Sequence, residues 1–455
     1  MTTSHDVRIW SIETIKRVRK TTHRVRWIVA GEKFGEMFTE FALADSFRSK
    51  LMTAARKGEE FDTETGYPAS LRRTQAETKT WFEFACEYMD MKWPDSSPKY
   101  RKSLVESLVA ITTAMMREEY DGESATFRKA LKVALNKNTR EGGLTSELQH
   151  AINFAKKSSK TVGDLTSPEV LRSLLHALDM KLDGTRASTN TIRHRRTTLG
   201  NAIEYAVDEK KLLDSNPLDE VKVKKRKFTL HEVDPTSVIN PIQARKLLSA
   251  VAESGKPGPP LVAFFGLMYY AALRPEEALN LKKENLSIPE SGWGDLRLER
   301  ARPEVEAEWT NSGEASEEGP LKHRAEKEGR NVPCPPELTA LLQAHLSQFG
   351  TAPDGRLFRG ARNGGRVRST VYGRTWAAAR GIVFTAEVAA GPLAKRPYDL
   401  RHAAVSTWLS GGVEPTRVAK WAGHSLSVLL RVYAKCLDGG EQAARDRVER
   451  ALIGQ

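Results

Sequence analysis

The residues best equipped for chemistry lie close together near the end of the chain. Between Lys395 and Lys435 the sequence reads KRPYDLRHAAVSTWLSGGVEPTRVAKWAGHSLSVLLRVYAK. It sets Arg401 beside His402, places His424 after Gly423, and ends on Tyr433. A guanidinium forks onto two oxygens, an imidazole donates or accepts a hydrogen bond, and a phenol supplies an oxygen nucleophile. Held together, an arginine, a histidine and a tyrosine suit attack on a phosphate better than on a carbonyl.

The elements that must hold them are legible from spacing. Leu400, Ala404, Val405 and Leu409 recur at helical intervals and predict one buried face, with Gly411 and Gly412 stopping the helix. Pro415 to Trp421 predicts a second helix that exits at Ala422-Gly423, where glycine accepts positive φ. The titratable residues then fall at helix ends and turns, where a packed scaffold presents them to a ligand.

DLRHA, then AGHS, then a tyrosine nine residues beyond the histidine resembles the C-terminal signature of the tyrosine recombinases, the phage-integrase family. The resemblance implies an earlier arginine after an apolar helix, and LMYYAALRPEEALNL offers Arg274. It implies a lysine in a β-hairpin between the two arginines, and GPLKHRAEKEGRNVPCPPEL offers Lys322. All parts stand in the family's order. In the roles so implied, Arg274 and Arg401 neutralise the phosphate, and Tyr433 attacks to store the bond as a 3′-phosphotyrosine. Lys322 protonates the leaving 5′-oxygen, and His424 donates to a non-bridging oxygen. Glu277 matches an acidic position that orients Arg274, and His402 is support. One departure stands out: the family commonly has histidine three residues before the second arginine, where this chain has Tyr398. A phenol there donates a hydrogen bond but is a poor base at neutral pH.

Each residue also has a plainer reading. Arg274 is a partner for a helix dipole, Arg401 a surface ion pair, Tyr433 a core tyrosine and His424 a helix cap.

At 455 residues the chain is long enough for two or three domains, and its net charge of +13 favours a polyanionic partner. Cys86, Cys334 and Cys436 are far apart, which argues against a disulfide framework or a metal site and fits a reducing cytoplasm; the resemblance implies that of a bacterial host cell. The N-terminus has no apolar signal core and no run suits a membrane span, so no membrane partner is expected. Glycines are nowhere arranged as a nucleotide loop, so no cofactor is expected.

The fold class expected is mainly α with small β-sheets, in a three-domain tyrosine-recombinase architecture. Residues 1–62 predict a β-rich arm-site domain: HDVRIWSIETIKR, THRVRWIVAG and GEMFTEF read as strands, followed by a helix. Arg17, Arg19, Lys20, Arg24 and Arg26 give this sheet a basic face, which suits a DNA groove or guards an exposed edge. Residues 76–225 predict a helical core-binding domain in which Arg193, Arg195 and Arg196 contact phosphates or form a solvated face. VKVKKRKFTL, with Lys224, Lys225, Arg226 and Lys227, reads as a basic strap along DNA. Residues 238–455 predict a mixed catalytic domain closed by a helix that docks on a neighbouring protomer or packs on itself.

These features point to a site-specific recombinase, the integrase of a phage or mobile element. It acts on double-stranded attachment sites as a homotetramer, with an accessory DNA-bending or excision factor as a further partner. Two rivals remain: a DNA-binding regulator without catalysis, and a type IB topoisomerase-like enzyme.

Overall fold

Helices built on apolar stripes dominate the chain, with small antiparallel sheets beside them. A computed structural model describes residues 3–17, 20–71, 78–221, 233–322, 328–360, 364–433 and 441–453. The chain divides into two compact units, Met1–Arg226 and Lys227–Gln455.

The first unit opens on a sheet centred on β3 (Lys20–Val29). Strands β1 (Val7–Ile9) and β2 (Glu13–Arg17) share one edge of it, and β4 (Glu32–Phe38) lines the other. The stretch expected as a single first strand is thus two. It breaks at Trp10, whose N–H still reaches Arg26 O at 3.0 Å. Alternation turns Val25, Trp27 and Val29 onto α1 (Phe41–Arg56) and leaves Arg24 and Arg26 exposed on the opposite face. Arg26 lies 3.5 Å from Glu13 and 5.6 Å over the Trp10 ring. Arg17 and Lys20 face each other at the end of the ladder. Arg19, Lys224, Lys225, Arg226 and Lys227 lie outside the described residues.

Among the described residues the helices that follow are α2 (Trp81–Lys92), α3 (Pro98–Ala114), α4 (Ser124–Leu135), α5 (Ser146–Ser158), α6 (Pro168–Asp179) and α7 (Thr189–Asp208). Side chains cap four of these starts, at Thr80, Ser97, Thr145 and Ser188. Thr80 and Glu83 form a reciprocal box, and Ser97 accepts from Tyr100 N ahead of Pro98. No helix among the described residues is long and apolar enough to cross a membrane.

In the second unit, α8 (Pro241–Glu253) begins at an Asn240–Gln243 box. The apolar α9 (Val262–Tyr270) is buried on nearly every side and forms the centre of the core. After it, α10 (Pro275–Ala278) is a single turn rather than the longer helix its pattern suggests. The chain is drawn out of helix because Leu281 O accepts from Leu357 N (3.0 Å) and Lys283 N donates to Gly355 O (2.9 Å). A three-stranded sheet follows, β5 (Leu286–Ser287), β6 (Gly294–Leu298) and, on the far side of β6, β9 (Arg330–Cys334). Between β6 and β9, β7 (Arg300–Ala301) pairs with β8 (Gly319–Pro320). In the acidic insert there, Trp309, Thr310 and Ser316 are buried, residues 311–315 and Glu318 are exposed, and Arg302 binds Glu314. Helices α11 (Pro336–Phe349), α12 (Ser369–Val383), α13 (Asp399–Ser410), α14 (Pro415–Ala422), α15 (Leu426–Val432) and α16 (Glu441–Ile453) complete the unit.

Candidate active site

The site is assembled where three turns meet the start of α13. At the first, α9 ends and Ala272 takes a left-handed φ of 50°, which reverses the chain sharply before Arg274. Arg274 then caps α10 and is locked there by Glu277, whose Oε2 accepts from Arg274 N at 2.8 Å while Oε1 accepts from Nη1 at 2.8 Å. At the second, α14 ends on Gly423 with φ 67°, the exit expected from the sequence, and His424 N returns to Ala419 O at 2.9 Å. At the third, Ser425 caps α15, and Tyr433 closes it with its N–H on Leu429 O. On α13, Leu400, Ala404, Val405 and Leu409 bury the predicted face.

These turns bring seven of the expected residues together: Arg274, Glu277, Tyr398, Arg401, His402, His424 and Tyr433. Arg401, fully buried, donates through Nη1 to Ala272 O and through Nη2 to Ala422 O and to His424 Nε2, the last at 2.8 Å. Arg274 Nη2 donates to Gly423 O at 3.0 Å. Tyr433 is buried, with its ring 6.0 Å from that of His424 and its Oη 2.8 Å from His402 Nδ1. It also belongs to a small core with Ala272, Ala404 and Leu429, so the core-tyrosine reading and the site reading describe one residue. Tyr398 stands at the N-cap of α13, its ring edge-on to His402 at 5.2 Å.

Lys322 is exposed, one residue past buried Leu321 and the short β7–β8 ladder. No bond among the described residues ties it to this cluster. In the first unit, Arg195 donates to Leu178 O and Met180 O, and Arg196 forks onto Asp179, so both guanidiniums engage the end of α6.

One member of the site escaped sequence reasoning. Arg330, at the start of β9, is buried and forks onto both oxygens of Glu277 at 2.8 and 2.7 Å, with Nε on Trp421 O at 3.0 Å. Strand alternation held the signal, since Arg330 shares an inward face with Val332 and Cys334. Gly423 leaves room for it: a Cβ there would stand 2.9 Å from Arg330 Nη1.

The electrostatics follow from this geometry. Burial alone would raise the Glu277 carboxyl, but Arg330 and Arg274 outweigh it and hold it near about 2. Burial, reinforced by Arg401 and Arg274, pushes His424 down to about 3. Burial likewise pushes His402 down to about 4 against the pull of Asp399. Three guanidiniums therefore face one hydrogen-bonded carboxylate and two neutral imidazoles. Among the described residues no carboxylate lies within ion-pairing distance of Arg401. Two buried donors, Arg401 Nε and the His424 Nδ1–H left by its bond from Arg401, have no acceptor among the described residues. Surplus positive charge with unanswered donors has the chemistry to take an anion, and a phenol stands beside it.

No family model and no curated protein matches the chain. Among solved structures it is similar to the Tn1549 transposon integrase in complex with a circular intermediate DNA, at 17% identity and a TM-score of 0.48, over 72% of this chain and 98% of that one. It is also similar to the XerH site-specific recombinase bound to palindromic difH, at 13% and 0.44, over 76% and 96%. A third likeness is to the XerA recombinase, at 15% and 0.32, over 81% and 97%.

Proposed function

We propose that this chain is a tyrosine-type site-specific DNA recombinase, the integrase of a phage or other mobile element acting in a bacterial cytoplasm. The observation that carries the reading is the buried cluster of Arg274, Arg330 and Arg401, positive beyond what Glu277 offsets, with Tyr433 packed against it.

In this reading a scissile phosphate enters beside Arg401 and Arg274 and takes up the donors that lack an acceptor. Tyr433 Oη attacks phosphorus, the P–O5′ bond breaks, and a 3′-phosphotyrosine preserves the bond energy for rejoining. The guanidiniums are in place before the charge develops, which is where such groups are most effective. His424 Nδ1–H donates to a non-bridging oxygen, Tyr398 is a further donor, and Lys322 protonates the 5′-oxygen once its loop meets DNA. Glu277 orients Arg274. The chemistry needs no cofactor. Double-stranded attachment sites would bind a homotetramer. Arg24 and Arg26 on the outer face of the first sheet, Arg193, and the basic segment with Lys224 to Lys227 serve as sequence-independent phosphate contacts. The domains would be 1–62, 76–225 and 238–455.

The test is covalent capture. Incubated with a pool of nicked random-sequence duplexes, the wild type is expected to hold DNA through denaturing electrophoresis, and Tyr433→Phe to hold none. Binding without adduct by the wild type would point to a regulator. Relaxation of a supercoiled plasmid by monomer would point to a topoisomerase-like enzyme.

A further inference from the structure

In the reaction above the Tyr433 phenol must give up a proton as it attacks, because a protonated phenol is a weak nucleophile. The place from which the resembled family would supply a histidine holds Tyr398, which cannot accept a proton at neutral pH. One turn further along α13, on the same face as Tyr398, stands His402. Its Nδ1 is 2.8 Å from Tyr433 Oη, inside the range a general base requires. The Tyr398 ring packs edge-on against the imidazole at 5.2 Å, and the Tyr433 ring meets it at 5.8 Å, so the ring is held between the two phenols.

We propose that His402 is the general base of the cleavage step and the general acid of the rejoining step, an assignment that rests on Tyr433 being the nucleophile. With its own proton on Nε2, His402 accepts the phenol hydrogen at Nδ1 as the Oη–P bond forms and the P–O5′ bond breaks. The leaving oxygen is protonated separately, from the Lys322 side. In rejoining, the imidazolium returns the proton to the departing phenolate, and atoms and charge balance over the cycle.

The surroundings make this base responsive to substrate. Asp399, Arg396 and Arg401 face His402 from its own helix and the turn before it, and His424 and Tyr433 from the elements packed across it. Burial and the adjacent Arg401 keep the imidazole neutral, and so able to accept, before DNA arrives. A phosphate settling against Arg401 adds negative charge nearby and raises the basicity of His402 at the moment a proton must be taken.

The experiment compares His402→Asn with wild type on a nicked duplex recovered from the wild-type adduct. Asparagine keeps an acceptor near the position of Nδ1 but cannot hold a proton. The expected result is unchanged DNA binding and melting with adduct formation slowed about 10²–10⁴-fold. Placing a fluorinated tyrosine of lower phenol pKa at position 433 is expected to recover most of that loss, which a packing role would not allow. If asparagine unsettles α13, His402→Gln is read in the same way. Adduct formation by His402→Asn at the wild-type rate, or a loss the fluorinated phenol leaves untouched, overturns the proposal. An adduct formed by Tyr433→Phe would instead remove the nucleophile itself. An inactive Tyr433→Phe beside a full-rate His402→Asn removes only the base.

Discussion

Two arginine clusters in this molecule use the same partners to opposite ends. In the first unit, Arg195 caps carbonyls at the end of α6 while Arg196 and Arg186 share Asp179. In the second, Arg401 takes the carbonyls of Ala272 and Ala422 while Arg274 and Arg330 share Glu277. The difference is depth and what is left over. Asp179 is partly accessible, so water finishes whatever the side chains leave undone. Around Glu277 the side chains are buried, and Arg401 Nε and His424 Nδ1 have no partner among the described residues. An exposed cluster closes on itself and stabilises a helix end. A buried cluster with surplus positive charge and spare donors has the character of an anion site, which is the role proposed for it above.

The sharpest way to break this contrast is to remove charge from the open cluster. Arg401→Met is expected to abolish adduct formation, by about 10³-fold or more, in a quenched-flow assay on nicked duplex. Arg401→Lys keeps the charge but loses the fork, and is expected to recover only part of the rate. A methionine variant that cleaves within about tenfold of wild type would mean that the surplus charge is not what activates the phosphate.

The next effect is on stability. Arg330→Met leaves the Glu277 carboxylate buried with one partner fewer, and is expected to lower the unfolding free energy by about 3–5 kcal/mol in urea titration. Adding Glu277→Gln removes the stranded charge and is expected to restore part of that loss. If the double variant is no better than the single, the coupling between the two residues is not electrostatic.

How much of this was legible beforehand divides along the same line. The stops at Gly411 and Gly423 and the buried faces of α9 and α13 follow from local pattern and spacing, while the joint site of Arg401, His424 and Tyr433 was implied by the family resemblance. Arg330 did not stand out, because a cation in a strand reads as solvated until its carboxylate, 53 positions away, is seen beneath it. The short α10 was hidden for a related reason: its competing backbone partners, Gly355 and Leu357, lie far along the chain. The buried Trp309 in an acidic loop, and the left-handed Ala272, likewise depend on contacts no local period encodes. Sequence gave the chemical groups; their charge balance needed tertiary neighbours.

The histidines of the open cluster add a pH dependence. Folded, His402 and His424 titrate near about 4 and about 3, against ~6.5 for an unfolded chain. The unfolded state therefore binds more protons below ~6.5, and stability present above that pH is lost as pH falls towards 4. Glu277, held at about 2 against an ordinary 4.5, gives up its own contribution only as pH falls below about 5, so it adds little between about pH 7.5 and about pH 5. The melting temperature without DNA is expected to drop by several degrees between about pH 7.5 and about pH 5, and His424→Asn to flatten the drop. An unchanged drop in that variant would place the linkage elsewhere.

The smallest effect tests the closed cluster. Arg196→Ala removes a fork onto Asp179 that is part exposed and still shared by Arg186, so a loss of about 1 kcal/mol or less is expected in melting experiments. If its charge is fully engaged by Asp179, it releases no counterion on binding, and the slope of log affinity against log salt should match wild type. The same measurement on Arg193→Ala or Arg24→Ala is expected to shallow the slope by about one ion, because those residues are proposed as phosphate contacts. A shallower slope for Arg196→Ala would show that DNA competes successfully with Asp179. Exposed ion pairs would then be open to the same ligand as the buried site, and depth alone would no longer separate the two clusters.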